Sequence, residues 1–242
     1  MLLRNSAVTA VSAFFPCYND ADAIGTMVRD VYTTLERLVD DFEVIVVDDG
    51  SADDSVAVLH SLQSQYPLLR VVVHPENRGY GAALMSGFAH ATKQWVFYTD
   101  GDAQYDSTEV ATVIAAATDT TDIVQGVKIG RGDPLHRKVI GRIYHHVVRL
   151  MFNLHVHDTD CDFRLIRHSL LDRVQLSSPT GCICVEMMRK FERAGATFVE
   201  VPVHHYARPH GRSQFFRIPH IARAALNLAQ LWIRLVVRRG SV

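Results

Sequence analysis

The stretch WVFYTDGDAQYD, residues 95–106, joins a short apolar run to three acids within seven positions. The run 95–99 has the aromatic and β-branched composition of a strand. Carboxylates this close together repel each other, so the loop after the strand needs a compensating charge, and a bound cation is one candidate. The stretch therefore predicts a strand of a sheet whose edge carries an acidic site.

Strand-like and helical segments alternate through the first half of the chain. The predicted strands are 8–15, 42–47, 68–74, 95–99 and 123–127. The predicted helices between them are 21–39, 53–62, 80–91 and 107–117. Most of the strands are apolar without alternation, as burial on both faces requires. This pattern predicts an α/β fold with a mostly parallel central sheet and helices on both faces.

The second half of the chain is less regular. It predicts a basic helix over 135–154, a turn and strand over 158–167, a helix over 183–194 and a strand over 197–204. An Arg-, His- and Gly-rich loop over 206–214 precedes a long amphipathic helix that starts near Pro219. We find no linker or repeat, so we expect one catalytic domain over 1–214 and a C-terminal amphipathic helix within 215–242. No run of 18 apolar residues occurs, so we expect no transmembrane segment.

The two halves also differ in charge. The first 127 residues carry 6 Lys/Arg and 18 Asp/Glu, whereas the following residues carry 19 and 8. This asymmetry favours a cation held on one side and an anion gripped from the other, although the two halves could instead neutralise each other across an interface. The basic cluster of Lys128, Arg131, Arg137 and Lys138 favours an anionic acceptor, and its alternative is a solvated basic helix.

Cysteine usage and the N-terminal segment bear on location. The four cysteines form no CxxC pair and are too few for a disulfide scaffold, so we expect reduced thiols and a cytoplasmic protein. Cys182 and Cys184 are expected to fill the core rather than bind a soft metal. The apolar segment 8–15 is interpreted as a first strand rather than as part of a signal peptide.

Polar loops follow each of the first four predicted strands. Because ligands bind beyond the carboxyl ends of parallel strands, these loops should meet at one edge. Asp100 and Asp102, on either side of Gly101, could place oxygens on a hard cation such as Mg²⁺ or Mn²⁺. The alternative is a solvated Asp-Gly turn.

The loops after the second and third strands allow further interpretations. Asp48 or Asp49 could accept hydrogen bonds from a nucleotide base or ribose. Ser51 and Asp54 have the spacing of a capping box. The stretch NRGYGAALMSG, residues 77–87, offers Gly-x-Gly at a helix start, which makes a dinucleotide-binding enzyme a rival, but Leu84 stands where Gly or Ala is wanted.

Six motifs occur in the order seen in glycosyltransferase family 2, which the chain resembles from about residue 11 to residue 215. They are FFPCYNDADAI, VVDDGSADDS, NRGYGAALMSGFAHA, YTDGDAQYD, DTDCDFRLIR and VPVHHYARPHGRSQF. The likeness is greatest to dolichyl-phosphate mannose synthase and related polyprenyl-phosphate sugar transferases. It implies a GT-A fold, a nucleotide-diphosphate sugar donor and a divalent cation, Mg²⁺ or Mn²⁺.

The resemblance also implies roles by position. The donor would contact Pro16, Tyr18, Asn19, Asp48, Asp49, Gly79, Asp100, Gly101 and Gln104. The metal would lie against Asp100, Asp102 and Gln104, and the catalytic residues would be Asp102, Asp160, Asp162 and Arg208. Arg164 and Ser213, together with Lys128 and Arg131 of the basic cluster, would contact the acceptor phosphate. The family stretch often reads Ser-Gly-Phe where this chain has Cys161-Asp162-Phe163, so it carries an extra acid.

The expected reaction is an inverting transfer of a hexose to a polyprenyl phosphate. A lipid phosphate is already ionised at neutral pH, whereas a sugar hydroxyl, the alternative acceptor, would need Asp160 or Asp162 as a base. We expect association with the cytoplasmic face of a membrane through the C-terminal helix, whose alternative role is core packing or a homodimer contact. No nucleic-acid partner is expected. Two other classes are a sugar nucleotidyltransferase, whose Gly-rich basic first loop is missing from PCYND, and an inactive nucleotide-binding module.

Overall fold

A mostly parallel sheet forms the centre of the protein. The computed structural model describes residues 5–130, 135–159, 161–208 and 218–238, with side chains omitted at 135–140 and 218–221. Within these ranges the sheet has seven strands: β1 Ala10–Cys17, β2 Asp41–Asp48, β3 Leu69–Val73, β4 Trp95–Thr99, β5 Ile123–Ile129, β6 Phe163–Arg167 and β7 Phe198–His204. Their order across the sheet is β3-β2-β1-β4-β6-β5-β7.

Helices connect most of these strands. In the described part of the chain they are α1 Ala21–Leu38, α2 Ser55–Gln63, α3 Tyr80–His90, α4 Val110–Ala116, α5 Leu135–Phe152, α6 His168–Leu171, α7 Ile183–Arg193 and α8 Ile218–Trp232. A 3-10 turn, Ser107–Glu109, precedes α4, and a π-helical turn, Ile233–Val237, continues α8. The predicted elements are therefore present, most with ends shifted by one to three residues, and α6 is an addition.

Strand direction confirms the predicted class and adds one feature. The strand β1 pairs in parallel with β2 and β4, β2 with β3, and β5 with β7. In contrast, β6 runs antiparallel to both β4 and β5, with Thr99 opposite Phe163. The start of β6 therefore lies at the edge where β4 ends, and this reversal brings Asp162, just before β6, to the same edge as the acidic loop.

Two apolar layers cover the sheet. Successive residues of a strand point to opposite faces, so Phe15 packs with α1, α2 and α4, whereas its neighbour Phe14 packs with α3 and α7. The second layer also contains Leu228, Leu231 and Leu235 from the C-terminal helical region. The indole nitrogen of Trp232 donates a hydrogen bond to the Met151 carbonyl at 2.8 Å. One side of the C-terminal helix thus packs into the core.

The lengths and hydropathy of the helices can be compared with those of a membrane-spanning helix. Among the described residues, the helices are too short or too polar to cross a bilayer. The expected domain boundary at residue 214 lies outside the described residues, so the division of the chain stays a prediction.

A buried carboxylate ties together the edge of the sheet opposite the carboxyl ends of the strands. Glu43 accepts hydrogen bonds from Ser12 Oγ at 2.7 Å, from Thr92 Oγ1 at 2.7 Å and from Arg70 Nη1 at 2.8 Å. Burial alone would raise the pKa of Glu43, but these donors together lower it below its ordinary value. The network joins β1, β2 and β3 to the segment after α3.

We expect Glu43→Gln to lower the free energy of unfolding at pH 7 by about 1–3 kcal/mol, because a buried ionic acceptor is lost. A lowered folded-state pKa contributes stability above the ordinary glutamate pKa of about 4.3, and that contribution disappears as the pH falls through the folded-state pKa. The difference between variant and wild type in urea unfolding should therefore shrink below about pH 4. Exposed Glu36→Gln is the control, and equal destabilisation by both would contradict the role of the network.

Candidate functional site

The loops after β1 and β4 meet in close contact at the carboxyl edge of the sheet. A Cβ atom at Gly101 would lie 2.4 Å from the carbonyl oxygen of Pro16, a distance no side chain permits. Glycine is thus required for the loops to approach each other. Tyr18, two residues after Pro16, is 43% exposed.

Hydrogen bonds join the loop after β1 to the loop after β2. The Asn19 amide donates to Ser51 Oγ at 2.9 Å, and the Ala52 amide donates to Asn19 Oδ1 at 2.8 Å. The predicted capping box is wrong, because α2 begins at Ser55 and its N-cap residue, Asp54, makes no side-chain cap. Ser51 instead connects the two loops.

Asp48 and Asp49 have different environments. Asp49 accepts hydrogen bonds from the amides of Arg78 and Gly79 at 3.0 and 2.8 Å, and it contacts His74 Nδ1 at 2.6 Å. Both of its oxygens therefore hold the loop before α3. Asp48 is fully buried, and its Oδ1 accepts from the Ser51 amide at 3.0 Å. Within the described residues its Oδ2 has no hydrogen-bond partner. Of the two acids, Asp48 is the one with an oxygen that the described residues leave unbound.

A peptide carbonyl occupies the N-terminus of α3. Pro179 O accepts hydrogen bonds from the amides of Gly81 and Ala82 at 3.0 and 3.3 Å. A Cβ atom at Gly81 would lie 2.1 Å from the carbonyl oxygen of Ser178. In a dinucleotide site a pyrophosphate binds such a helix terminus. The small residues of NRGYGAALMSG instead serve chain packing, which disfavours the dinucleotide-binding alternative.

The acidic loop after β4 is held by several donors. The Tyr80 hydroxyl donates a hydrogen bond to Asp100 Oδ1 at 2.6 Å. Asp102 Oδ1 accepts from the Gln104 amide at 3.1 Å, while Asp102 Oδ2 pairs with Arg208 Nη2. The Gln104 side chain donates to the Tyr206 carbonyl at 3.1 Å. These contacts join the loop to the segment that follows β7.

Asp162 lies at the same edge and is fixed by a buried ion pair. Its Oδ1 accepts from Arg164 Nη1 at 2.7 Å, from Tyr98 OH at 3.2 Å and from Cys184 Sγ at 3.1 Å. Arg164 is fully buried, with its Nε on Gln125 at 2.6 Å. Its guanidinium therefore orients Asp162, and the prediction that it contacts the acceptor phosphate does not agree with this burial.

The predicted basic and acceptor-side residues are only partly described. Lys128 is half-buried near the end of β5 and lies close enough to lower the pKa of Asp100. Arg131, Asp160 and Ser213 lie outside the described residues. Arg137 and Lys138 belong to α5, but their side chains are among those omitted.

Negative charge accumulates where these loops meet. Burial, and then repulsion by Asp162 and Asp102, raises the pKa of Asp100 well above its ordinary value. Burial likewise raises the pKa of Asp20 to about 6, with Asp102 adding to the shift and Arg208 opposing it. Asp20, Asp100, Asp102 and Asp162 thus share one neighbourhood with the guanidinium of Arg208.

The donor atoms at this edge fit a hard divalent cation. Asp100 and Asp102 offer carboxylate oxygens, and Mg²⁺ and Mn²⁺ prefer oxygen ligands. The described residues contain no group of three or more His, Cys, Asp or Glu side chains arranged for a metal. A cation here would need oxygens from a ligand to complete its shell, and its charge would offset the repulsion around Asp100.

Several residues of the site were not identified from the sequence. Tyr80 and Asp20 belong to motifs given in the sequence analysis. Both follow a strand of the sheet, β3 and β1, and that position could have identified them as residues of the site. Tyr98, Gln125 and Cys184 were not detectable in this way, because the antiparallel course of β6 and the packing of α7 bring them to Asp162 and Arg164.

The chain resembles known proteins over most of its length. A family model described as glycosyl transferase family 2 matches residues 12–175. The undecaprenyl-phosphate 4-deoxy-4-formamido-L-arabinose transferase of Enterobacter sp. (strain 638) is 29% identical over 216 residues, which cover 88% of this chain. The match covers 65% of that curated relative's own length.

Solved structures with the same fold include glucosyl-3-phosphoglycerate synthase from Mycobacterium tuberculosis. Its complex with phosphoglyceric acid superposes with a TM-score of 0.71 at 20% identity, over 93% of this chain and 81% of that chain. Its complex with uridine-diphosphate gives 0.70 at 17% identity, over 94% and 82%. Another of its structures contains Mn²⁺, uridine-diphosphate and glucosyl-3-phosphoglycerate. These likenesses confirm the expected GT-A fold.

We expect Asp49→Ala to release the loop before α3, because two backbone amides lose their carboxylate acceptor. Native-state hydrogen exchange should show the amides of Arg78 and Gly79 exchanging at least about tenfold faster. Asp54→Ala is the control, since Asp54 is exposed and caps nothing with its side chain. Unchanged protection at both amides would contradict this role for Asp49.

Proposed function

Because the chain belongs to glycosyl transferase family 2, we propose that it is an inverting, metal-dependent glycosyltransferase. It transfers a hexose from a nucleotide-diphosphate sugar to a polyprenyl phosphate at the cytoplasmic face of a membrane. One observation carries the proposal: Asp100, Asp102, Asp162 and Arg208 meet at the carboxyl edge of the sheet. This arrangement supports a bound diphosphate between a cation and a guanidinium.

The donor nucleotide would lie between the loops after β1 and β2. Asp48 supplies a buried oxygen that no described group satisfies, so it accepts a hydrogen bond from the base or the ribose. Tyr18, exposed on the loop after β1, would offer its ring to the nucleotide. Pro16, Asn19 and Gly79 shape the pocket through their backbones, while Asp49 acts indirectly by holding Gly79.

Charge explains how the bond to the leaving diphosphate breaks. Asp100 and Asp102, with Gln104 beside them, would hold Mg²⁺ or Mn²⁺, which stabilises negative charge on the departing oxygens. Arg208 supplies the second positive charge from the segment after β7. Its Nε is buried and has no partner within the described ranges, so it has a donor left for a phosphate oxygen. Attack in line with the leaving group inverts the sugar carbon.

The acceptor is proposed to be a polyprenyl phosphate. The curated relative from Enterobacter carries undecaprenyl phosphate in its name, which supports this acceptor class. Lys128 stands close enough to Asp100 to influence its pKa and would face the acceptor phosphate, which needs no base at neutral pH. Asp162, 14% exposed and oriented by Arg164, is in place as a base for a hydroxyl acceptor.

Membrane contact would use the exposed face of α5. Ile143, Val147 and Leu150 lie at i, i+4 and i+7 and are 59%, 45% and 86% exposed. Arg142 is exposed beside them and would contact anionic headgroups. On α8 and the turn after it, Leu226, Ile233 and Val237 are also exposed. Both the apolar stripe and the adjacent cation are features of a helix that lies in a bilayer interface.

We expect transfer of labelled sugar to lipid when the protein is incubated with membranes, Mg²⁺ or Mn²⁺ and a panel of nucleotide sugars. A chelator should stop the reaction, and Asp102→Asn should lower turnover at least about 100-fold without loss of folding, because transition-state charge loses its support. Asp106→Asn, at the third acid of the same stretch, should remain active.

The products decide between the functional classes in this assay. Release of a nucleoside diphosphate with a lipid product supports the proposal. Extension of a soluble glycan alone would contradict the lipid acceptor, and release of pyrophosphate would indicate nucleotidyl transfer. Full turnover of the Asp102→Asn variant would contradict the metal assignment.

We expect Leu150→Glu to reduce co-flotation with anionic lipid vesicles at least about fivefold, because it places a charge in the apolar stripe of α5. Leu68→Glu changes an exposed leucine on a distant loop and is the matched control. Sedimentation velocity of both variants checks whether the stripe instead forms a homodimer. Equal flotation of the two variants would contradict membrane contact through α5.

A further inference from the structure

Tyr80 makes one contact that the proposed chemistry does not yet use. It is the first residue of α3, and its hydroxyl donates to Asp100 Oδ1 at 2.6 Å. No donor in the described part of the protein contacts Asp100 Oδ2. The hydroxyl thus fixes one oxygen of the carboxylate and leaves the other oxygen without a described donor.

The other two carboxylates at this edge have cationic partners, since Asp102 pairs with Arg208 and Asp162 with Arg164. For Asp100, the described residues supply the Tyr80 hydroxyl as the side-chain donor. A hydrogen bond to a carboxylate also sets its rotation, as partners of metal ligands commonly do.

The position of Tyr80 is itself determined by a rigid support. The amide after Tyr80, that of Gly81, donates to Pro179 O, and Gly79 on its other side is bound to Asp49. The loop that carries Pro179 is held by Glu186, whose Oε2 accepts from the Ser178 amide at 2.8 Å. The backbone on both sides of Tyr80 is therefore anchored.

Glu186 connects this support to the C-terminal helical region. Its carboxylate is fully buried on α7 and also accepts from Ser177 Oγ at 2.9 Å. Lys190 and Arg234 lie 3.4 and 3.1 Å from its Oε1 and compensate its charge. The first turn of α3 is thus held through the Pro179 loop by Glu186 of α7, which is in turn bound by Arg234 in the turn that follows α8.

We propose that Tyr80 is a positioning residue for Asp100, which it holds in the orientation that receives the divalent cation. The inference rests on the proposed metal site and deepens it. The Tyr80 hydroxyl donates a hydrogen bond to Asp100 Oδ1, and Asp100 presents Oδ2 to the cation. Removal of the hydroxyl leaves the ring packing in place but frees the carboxylate to rotate.

Tyr80→Phe tests the proposal through metal binding. Titration of Mn²⁺ in the presence of uridine diphosphate, followed by electron paramagnetic resonance, should show about tenfold weaker binding in the variant. In the transfer assay the KM for Mn²⁺ should rise by a similar factor, while kcat at saturating Mn²⁺ should stay within about twofold of wild type. A structural role alone would not separate these two constants.

Tyr32→Phe is the matched control, because Tyr32 is a buried tyrosine that packs on Phe42 and Tyr66 in the other apolar layer. Its Mn²⁺ affinity should equal that of wild type, and thermal unfolding checks that both variants fold. Equal Mn²⁺ affinity of Tyr80→Phe and wild type would overturn the inference and leave the proposed function standing. If wild type binds no Mn²⁺, the inference and the metal site both fail.

Discussion

The buried ion pair between Arg164 and Asp162 is the interaction on which the site depends. A guanidinium with no exposure needs partners for its donors: Nε donates to Gln125, Nη1 to Tyr98 and Asp162, and Nη2 to the Thr159 carbonyl. Removal of one partner of such a pair leaves an uncompensated buried charge. Because the pair is costly to break, Asp162 stays in the orientation that contacts Arg164. The pair also holds negative charge beside Asp100, because Asp162 is, after burial, the largest cause of the raised pKa of Asp100.

The reversed strand β6 makes that ion pair possible. A parallel strand would deliver its carboxyl end to the acidic edge, whereas β6 delivers its beginning, with Asp162 immediately before Phe163. Cys161 and Phe163 enter the apolar layer that contains Phe15, while Asp162 points to the site between them. Asp162, the extra acid relative to the Ser-Gly-Phe pattern, is therefore compensated by the guanidinium of Arg164 on the adjoining strand β6.

Much of the sheet could be predicted from the sequence, because its central strands are buried on both faces and alternate with amphipathic helices. Trp95–Thr99 was predicted to the residue, since an apolar run ends there in acids. The direction of β6 could not be predicted, because five residues carry no local signal for their partner. Ser51 was misassigned for a similar reason: its hydroxyl bonds a loop distant in sequence. Arg164 was expected to contact the acceptor phosphate, and only the fold shows that it is buried.

The bracing of α3 by Glu186 has a consequence for the order in which the protein forms during synthesis. Leu228, Leu231 and Leu235 complete the second apolar layer, and Arg234 compensates a carboxylate that has no exposure. While the ribosome has not yet released residues 228–235, that layer lacks the three leucines, and Glu186 has Lys190 but not Arg234 to compensate its charge. Domains generally fold as units as the chain emerges. The face that carries Phe15 can consolidate early, whereas the face that carries Phe14 must wait for α8 and the turn that follows it.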